Sequence, residues 1–173
     1  MTSWIPLFEV IAVAFPLVLW YYLKIKRHRH VTRKFLVLLM SVLIFEFLTE
    51  PLWENVGFQR WAYIWHDLTW VITFGWVGLF MTMFLIVDTT FRTLPEKKKF
   101  WVYLLSIEAI VVPIESVLVT IGIRDYSPLL KSSLIGFTIP LTPVPIEAIY
   151  YIPLFASFII CFYKYINYLF NTR

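Results

Sequence analysis

Five long apolar runs, at residues 5–23, 35–50, 68–87, 101–121 and 146–163, are separated by polar segments. The runs are continuous, without the period-two alternation of a membrane β-barrel. Each approaches the roughly 20 residues a helix needs to cross a hydrocarbon layer of about 30 Å. The second is short, and residues 31–34 extend it, with Arg33 and Lys34 snorkelling toward water. The pattern predicts an all-α, polytopic membrane bundle of about five helices, a single domain over residues 1–173. No basic segment precedes the first run and Glu9 interrupts its start, so it is not read as a cleavable signal. The longest segment outside the runs, 122–145, carries Pro128, Pro140, Pro143 and Pro145 around an apolar stretch at 134–137. It is expected to re-enter the membrane or lie on its surface, with protein covering any backbone at depth.

Composition turns this pattern into a statement about solvent. Hydrophobic residues make up 60% of the 173 and charged residues 15%, with a mean hydropathy of +0.76, whereas soluble domains carry about 25% charged residues. Lipid must therefore solvate much of the surface, in the cell membrane of a prokaryote or the endoplasmic reticulum of a eukaryote. Cys161 is the one cysteine, which excludes disulfide scaffolds and cysteine-based metal centres.

Charge sets the expected orientation. Ten of the 15 basic residues, Lys24, Lys26, Arg27, Arg29, Arg33, Lys34, Arg92, Lys97, Lys98 and Lys99, lie between spans one and two or between spans three and four. The positive-inside rule makes that face cytoplasmic, placing the N-terminus outside and the C-terminus, with Arg173, inside. The opposite loops hold Arg60, Arg124 and Lys131. The net charge of +4 is thus largely topological. It points to anionic lipid headgroups and not to nucleic acid.

The acids carry the functional signal. Glu9, Glu46, Glu50, Glu108, Glu115 and Glu147 lie in or at the edge of spans, flanked by Glu54, His66 and Asp67. An acid at a helix centre costs a few kcal/mol to insert, so such residues face a bundle interior and mark sites. At about 1.5 Å per residue, Glu50 and Glu115 lie roughly 22 Å from the cytoplasmic starts of their spans, while Glu9, Glu147, His66 and Asp67 open spans from the other side. Every span therefore brings an acid toward the outer third of the membrane. Glu46 and Glu50 are four residues apart and Glu108 and Glu115 seven apart, so each pair shares a helix face. Trp53, Trp70, Trp76 and Tyr150 are expected in the same cavity. The competing reading is that the acids only pair with Arg60, Arg124, Lys131 or backbone groups to specify packing, but three cations cannot neutralise so many acids. A weak repeat aligns Glu50 and Gly57 with Glu115 and Gly122, seven residues apart in both cases.

A desolvated carboxyl can hold a proton at neutral pH and act as an acid, while a second, ionised carboxylate acts as base. Aromatic faces stabilise a passing cation. This equipment suits protonation of an isoprenoid double bond in a carotenoid or sterol entering from lipid, with no cofactor. His28 and His30 sit in the basic loop and are read as solvated. His66 with Asp67 and Glu50 or Glu147 lacks diagnostic metal-ligand spacing, so no metal is assigned. Tyr163, Tyr165 and Tyr168 fit an interfacial belt. Two other classes stay open: a small proton- or cation-coupled transporter, in which Glu46, Glu50, Glu108 and Glu115 relay charge and Pro113 breaks span four, and a non-catalytic assembly subunit. A homo- or hetero-oligomer is compatible with each.

Pro143-Val-Pro-Ile-Glu147-Ala-Ile-Tyr-Tyr-Ile-Pro153, preceded by Gly122-Ile-Arg-Asp-Tyr-Ser-Pro128, resembles the lycopene cyclase domain of fused or heterodimeric carotenoid cyclases. In that family a span opens with Pro-x-Glu-Glu/Asp followed by aromatics. The resemblance covers about 35 residues. It implies redox-neutral, proton-initiated cyclisation of a linear carotene, with Glu147 as the motif acid; position 148 is Ala where the family has a second acid. The segment from Glu50 to Tyr63 is more loosely similar to membrane carotenoid hydratases, and the five-span bundle with buried acids to emopamil-binding-type sterol isomerases. The expected catalytic residues are Glu147, Glu115 and Glu50, with Glu46, Glu108, Trp53, His66, Asp67, Trp70 and Tyr150 binding substrate.

Overall fold

The computed structural model describes residues 4–171. Five helices are long and apolar enough to cross a membrane: α1 (Ile5–Ile25), α2 (Val31–Thr49), α3 (Trp70–Thr90), α4 (Glu96–Thr120) and α6 (Ala148–Asn171), with a short α5 (Pro128–Lys131) between the last two. Local chemistry sets several ends. Pro6 occupies the first turn of α1, where its missing N–H costs no hydrogen bond. The Thr69 hydroxyl accepts from the Ile72 N–H at 3.2 Å and caps α3. Lys97, Lys98 and Lys99, expected in a loop, belong to the first turns of α4. Lys99 is buried there, 3.3 Å from Glu96 and 3.8 Å from Asp88. Arg173 lies outside the described residues.

Polar side chains lodged in the helices satisfy themselves locally, as they must where no water is at hand. Ser41 donates to the Val37 carbonyl, Thr82 to Gly78 and Thr120 to Ser116, each four residues back. Pro113 lies inside α4 and Pro153 inside α6, yet both helices run on through them, so span four is not broken at Pro113.

Four helices close a ring in which α2 packs on α3, α3 on α4, α4 on α6 and α6 on α2; α1 lies outside, against α3 and α2. Val42, Val77, Phe80, Ile107 and Ile160 fill the ring and are fully buried. The outward faces remain apolar, as at Val18, Leu105 and Phe158, which is the arrangement lipid requires.

The two long loops meet at one end of the ring and carry strands that an all-α reading omits. β1 (Trp53–Asn55) pairs antiparallel with β4 (Arg124–Tyr126), Trp53 opposite Tyr126 and Asn55 opposite Arg124. β2 (Tyr63–Trp65) and β3 (Leu68–Thr69) form a small hairpin beside this ribbon. Alternation turns Trp53, Asn55, Arg124 and Tyr126 inward and Glu54 and Asp125 outward. Gly57 and Gly122, the glycines of the weak repeat, both have positive φ, +97° and +71°, where a side chain would be strained. They stand side by side at one end of the ribbon. The segment 132–147 is irregular, crosses itself through a bridge between Thr138 and Pro145, and exposes Ile135, Phe137 and Leu141.

α1 approaches the ring closely at Gly78, where an added Cβ would stand 2.7 Å from Cδ1 of Phe15 and 3.4 Å from Cβ of Pro16. Small residues at such crossings let membrane helices approach. Gly78→Leu is expected to lift α1 from α3 and cost about 1–3 kcal/mol by overpacking, read as a lower melting temperature in detergent, while Gly75→Ala, with open space around its Cβ, leaves melting unchanged.

Candidate functional site

The ribbon lowers one cation into the apolar bundle. Arg124 is buried in β4, and its Nε lies 3.3 Å from Oε1 of Glu115 on α4, itself buried. The contact is one of charge, since neither atom makes an aligned hydrogen bond. The guanidinium lies over the Trp53 ring, 4.2 Å from its centroid, a cation–π contact strengthened by the burial of both groups. Trp53 is in turn edged by Tyr126 and Tyr151 at 5.4 and 5.7 Å, and the hydroxyls of those tyrosines are 3.4 Å apart. Burial, then the Glu115 charge, pushes the Tyr126 phenol above its ordinary value, so it stays neutral.

Beneath the ribbon lies a cavity of about 40 Å³, bordered by Glu46, Glu50, Trp53, Asp67, Trp76 and Arg124 among others. Glu46 accepts a short hydrogen bond from the Thr73 hydroxyl across the α2–α3 interface. Asp67 accepts from the Asn55 N–H at 2.7 Å, Asn55 donates its side-chain amide to the Asp67 carbonyl, and Tyr63 donates to the Asn55 carbonyl at 2.6 Å. Asn55 thereby ties the ribbon to the β2–β3 hairpin. A second, apolar cleft of about 170 Å³ lies over α3, between α1 and α4, lined by Phe8, Ala12, Gly75, Leu79 and Ile114, with Glu115 and Arg124 as its charged groups. Arg124, Ile72 and Trp76 border both spaces and form the partition between them. Glu115 lies on the cleft side; Glu46, Glu50 and Asp67 lie on the cavity side.

Of the residues expected at the site, Glu46, Glu50, Glu115, Trp53 and Asp67 come together. The others stand apart. Glu147 accepts from the Ile135 N–H at 2.7 Å and fastens the irregular loop. Glu108, two turns along α4 from Glu115, is half-buried with both oxygens unpartnered. His66 occupies the hairpin turn with φ +46°, exposed and edge-on to Trp65. Trp70 packs on Phe74, and Tyr150 faces outward. Glu9 is fully buried and accepts from the Gln59 N–H, binding α1 to the first loop. Among the described residues no group of three or more His, Cys, Asp or Glu could hold a metal ion.

Sequence reasoning passed over Arg124, Thr73, Tyr126 and Tyr151 as site groups. No local pattern marks them; the repeated Val-Pro-Ile-Glu at 112–115 and 144–147 marks only Glu115, which was already expected. On the outer face of the ribbon, burial raises the Asp125 carboxyl, but the Lys131 hydrogen bond at 2.6 Å, the Tyr126 N–H and the Lys131 charge outweigh it and hold the group below its ordinary 3.8. Compared with known proteins, the chain matches no family model, no curated protein and no solved structure.

Breaking one partner of a buried ion pair leaves the other charge uncompensated and costs about 3–5 kcal/mol, whereas removing both is far milder. Glu115→Gln and Arg124→Gln are each expected to destabilise by about that amount, and the double variant by less than either. Thermal unfolding of the four proteins in one detergent tests this; additive losses would mean that the two charges are not coupled.

Proposed function

We propose that the protein is an integral membrane isoprenoid-modifying enzyme of the carotenoid cyclase, hydratase or sterol isomerase kind, using buried glutamates for proton-initiated double-bond chemistry. The observation that carries this reading is the partition itself: an apolar cleft on the flank of the bundle ends at a carboxylate–guanidinium pair, and a small cavity bordered by three acids lies on its other side. Such a cleft suits the hydrocarbon of a lipid-dissolved substrate entering sideways.

In this reading Glu115, which Arg124 contacts, is the base. Glu46, which borders the cavity and has no cation at ion-pair distance among the described residues, holds the proton and delivers it across the partition. Protonation of a carbon–carbon double bond leaves a tertiary carbocation. The aromatic rings of Phe8 and Trp76, which line the cleft, favour that cation. Loss of a proton from an adjacent carbon to Glu115 regenerates a double bond, in a ring or at a new position, and the reaction is redox-neutral. Arg124 holds the base in position at the end of the cleft. The resemblance at 143–153 to carotenoid cyclases supports the substrate class. Glu147 is then a positioning residue that orders the loop covering the start of α6.

The orientation belongs to the same proposal: the ribbon end outside and the basic end in the cytoplasm. With Cys161 replaced, a cysteine introduced at Arg92 is expected to be shielded from an impermeant maleimide in intact cells and one at Ile135 to be labelled; the reverse pattern inverts the topology.

The activity is tested by expression in hosts that accumulate lycopene or sterol intermediates, with products resolved by chromatography. Wild type is expected to convert one of these pools. Glu46→Gln, and the charge-balanced Glu115→Gln/Arg124→Gln double variant, are each expected to lower product by at least about 100-fold while the protein remains in the membrane, the size of a lost general acid or base. If wild type leaves every pool unchanged, the enzymatic reading is lost. Proton or cation flux in liposomes would favour the transporter instead.

A further inference from the structure

The end of the bundle opposite the ribbon holds a larger cavity, of about 400 Å³. Its two halves differ in chemistry. The floor is apolar, built from Leu23, Phe35, Leu38, Met81 and Phe84. The rim carries His28, Arg29, Lys34 and Arg92 against one acid, Asp88. That acid is already engaged: the Tyr103 hydroxyl donates to it at 2.6 Å, and Lys99 lies 3.8 Å away. Among the described residues, Lys34 and Arg92 have no carboxylate within ion-pair distance.

The rim is built by the backbone. Arg27 and His30 both have φ +57°, a conformation residues with side chains seldom adopt. The turn they make folds back on α1, with the His28 N–H donating to the Leu23 carbonyl at 3.1 Å. The turn thereby places His28 and Arg29, both exposed, at the mouth of the cavity.

From this juxtaposition of an unneutralised basic rim and a deep apolar floor, we infer a binding site for an anionic phospholipid. Its phosphate takes Lys34, Arg92 and Arg29, and part of an acyl chain lies along Phe35, Leu38, Met81 and Phe84. Basic pockets between membrane helices recognise anionic headgroups in this way, and guanidinium groups add directed hydrogen bonds to phosphate oxygens. A soluble phosphate would use the rim but leave the floor uncovered, and a zwitterionic lipid would bring its own cation to the rim. The inference concerns a site separate from the acidic cavity and does not depend on the isoprenoid reading.

The test uses the full chain in a neutral detergent, offered equal amounts of phosphatidylglycerol and phosphatidylcholine with the same acyl chains, with retained lipid counted by native mass spectrometry. Wild type is expected to retain the anionic lipid preferentially. Lys34→Gln and Arg92→Gln should each lower that preference about fivefold, the effect of one basic residue near an anionic surface, and Lys34→Arg should preserve it. Excess glycerol phosphate should fail to displace the lipid. The proposal is overturned if the double variant keeps the wild-type preference with its melting temperature unchanged, or if glycerol phosphate competes as well as the diacyl lipid. If the double variant melts lower, Met81→Trp decides by filling the floor with the rim charges intact: lower retention supports the site, and unchanged retention rejects it.

Discussion

A guanidinium lowered into an apolar bundle must meet an anion, and the 3.3 Å contact of Arg124 with Glu115 is the constraint from which the capped end of this protein is built. Helices in lipid gain little from apolar contact as such, because the tails they displace are equally apolar; close packing and polar bonds decide the arrangement. Here the polar bonds converge on the cap. Glu9 of α1 holds the first loop through Gln59, Glu115 of α4 holds β4 through Arg124, Tyr151 of α6 meets Tyr126, and Glu46 joins α2 to α3 through Thr73. Because β1 is laddered to β4 and tied to the hairpin by Asn55 and Asp67, fixing Arg124 fixes the whole cover. The site and the closure of the bundle are therefore the same set of interactions.

What was legible in the sequence follows from which of these features are local. The five helices are local: hydropathy over some 20 residues reports whether a segment can lie in lipid, and all five expected spans fall on helices long and apolar enough to cross. The convergence of Glu46, Glu50, Glu115 and Asp67 was legible too, since depth in a helix is a count of residues. The ribbon was not. Trp53-Glu54-Asn55 and Arg124-Asp125-Tyr126 are too short to show a period, and their pairing joins residues about 70 positions apart. With the ribbon hidden, Arg124 could not be told from Arg60 or Lys131, although Arg124 alone of the three is buried. The same holds at 150–151, where Tyr150 was expected inside and Tyr151 is the one that edges Trp53. Successive helical residues point about 100° apart, and nothing next to them in the chain says which faces in. Glu147 lies where an irregular segment places it, beyond the reach of any periodicity.

Charge serves opposite ends differently. At one end most acids are drawn under a cover and matched with a hydroxyl, a backbone N–H or one guanidinium. At the other, cations are left along a rim, and the acids present, Asp88 and Glu96, serve Lys99, Lys164 and the Tyr103 hydroxyl. A chain with few charges can thus keep an acidic cluster and a basic one without the two fields cancelling, because the length of the helices separates them.

The origin of the central cation has a physical consequence. Arg124 is supplied by the loop after α4 and not by a second helix. Glu115 lies five residues before the end of α4, roughly 8 Å into the helix. A helix carrying one acid at that depth inserts at a modest penalty, whereas a second charged residue placed deep in another helix would add its own. With the guanidinium carried by a loop strand, the chain neutralises Glu115 without that second penalty. Because Arg124 lies on a strand laddered to β1, the pairing of Glu115 and the seating of the ribbon are one structural event: whatever displaces β4 also separates the two charges, and whatever holds them together keeps the cover on the bundle.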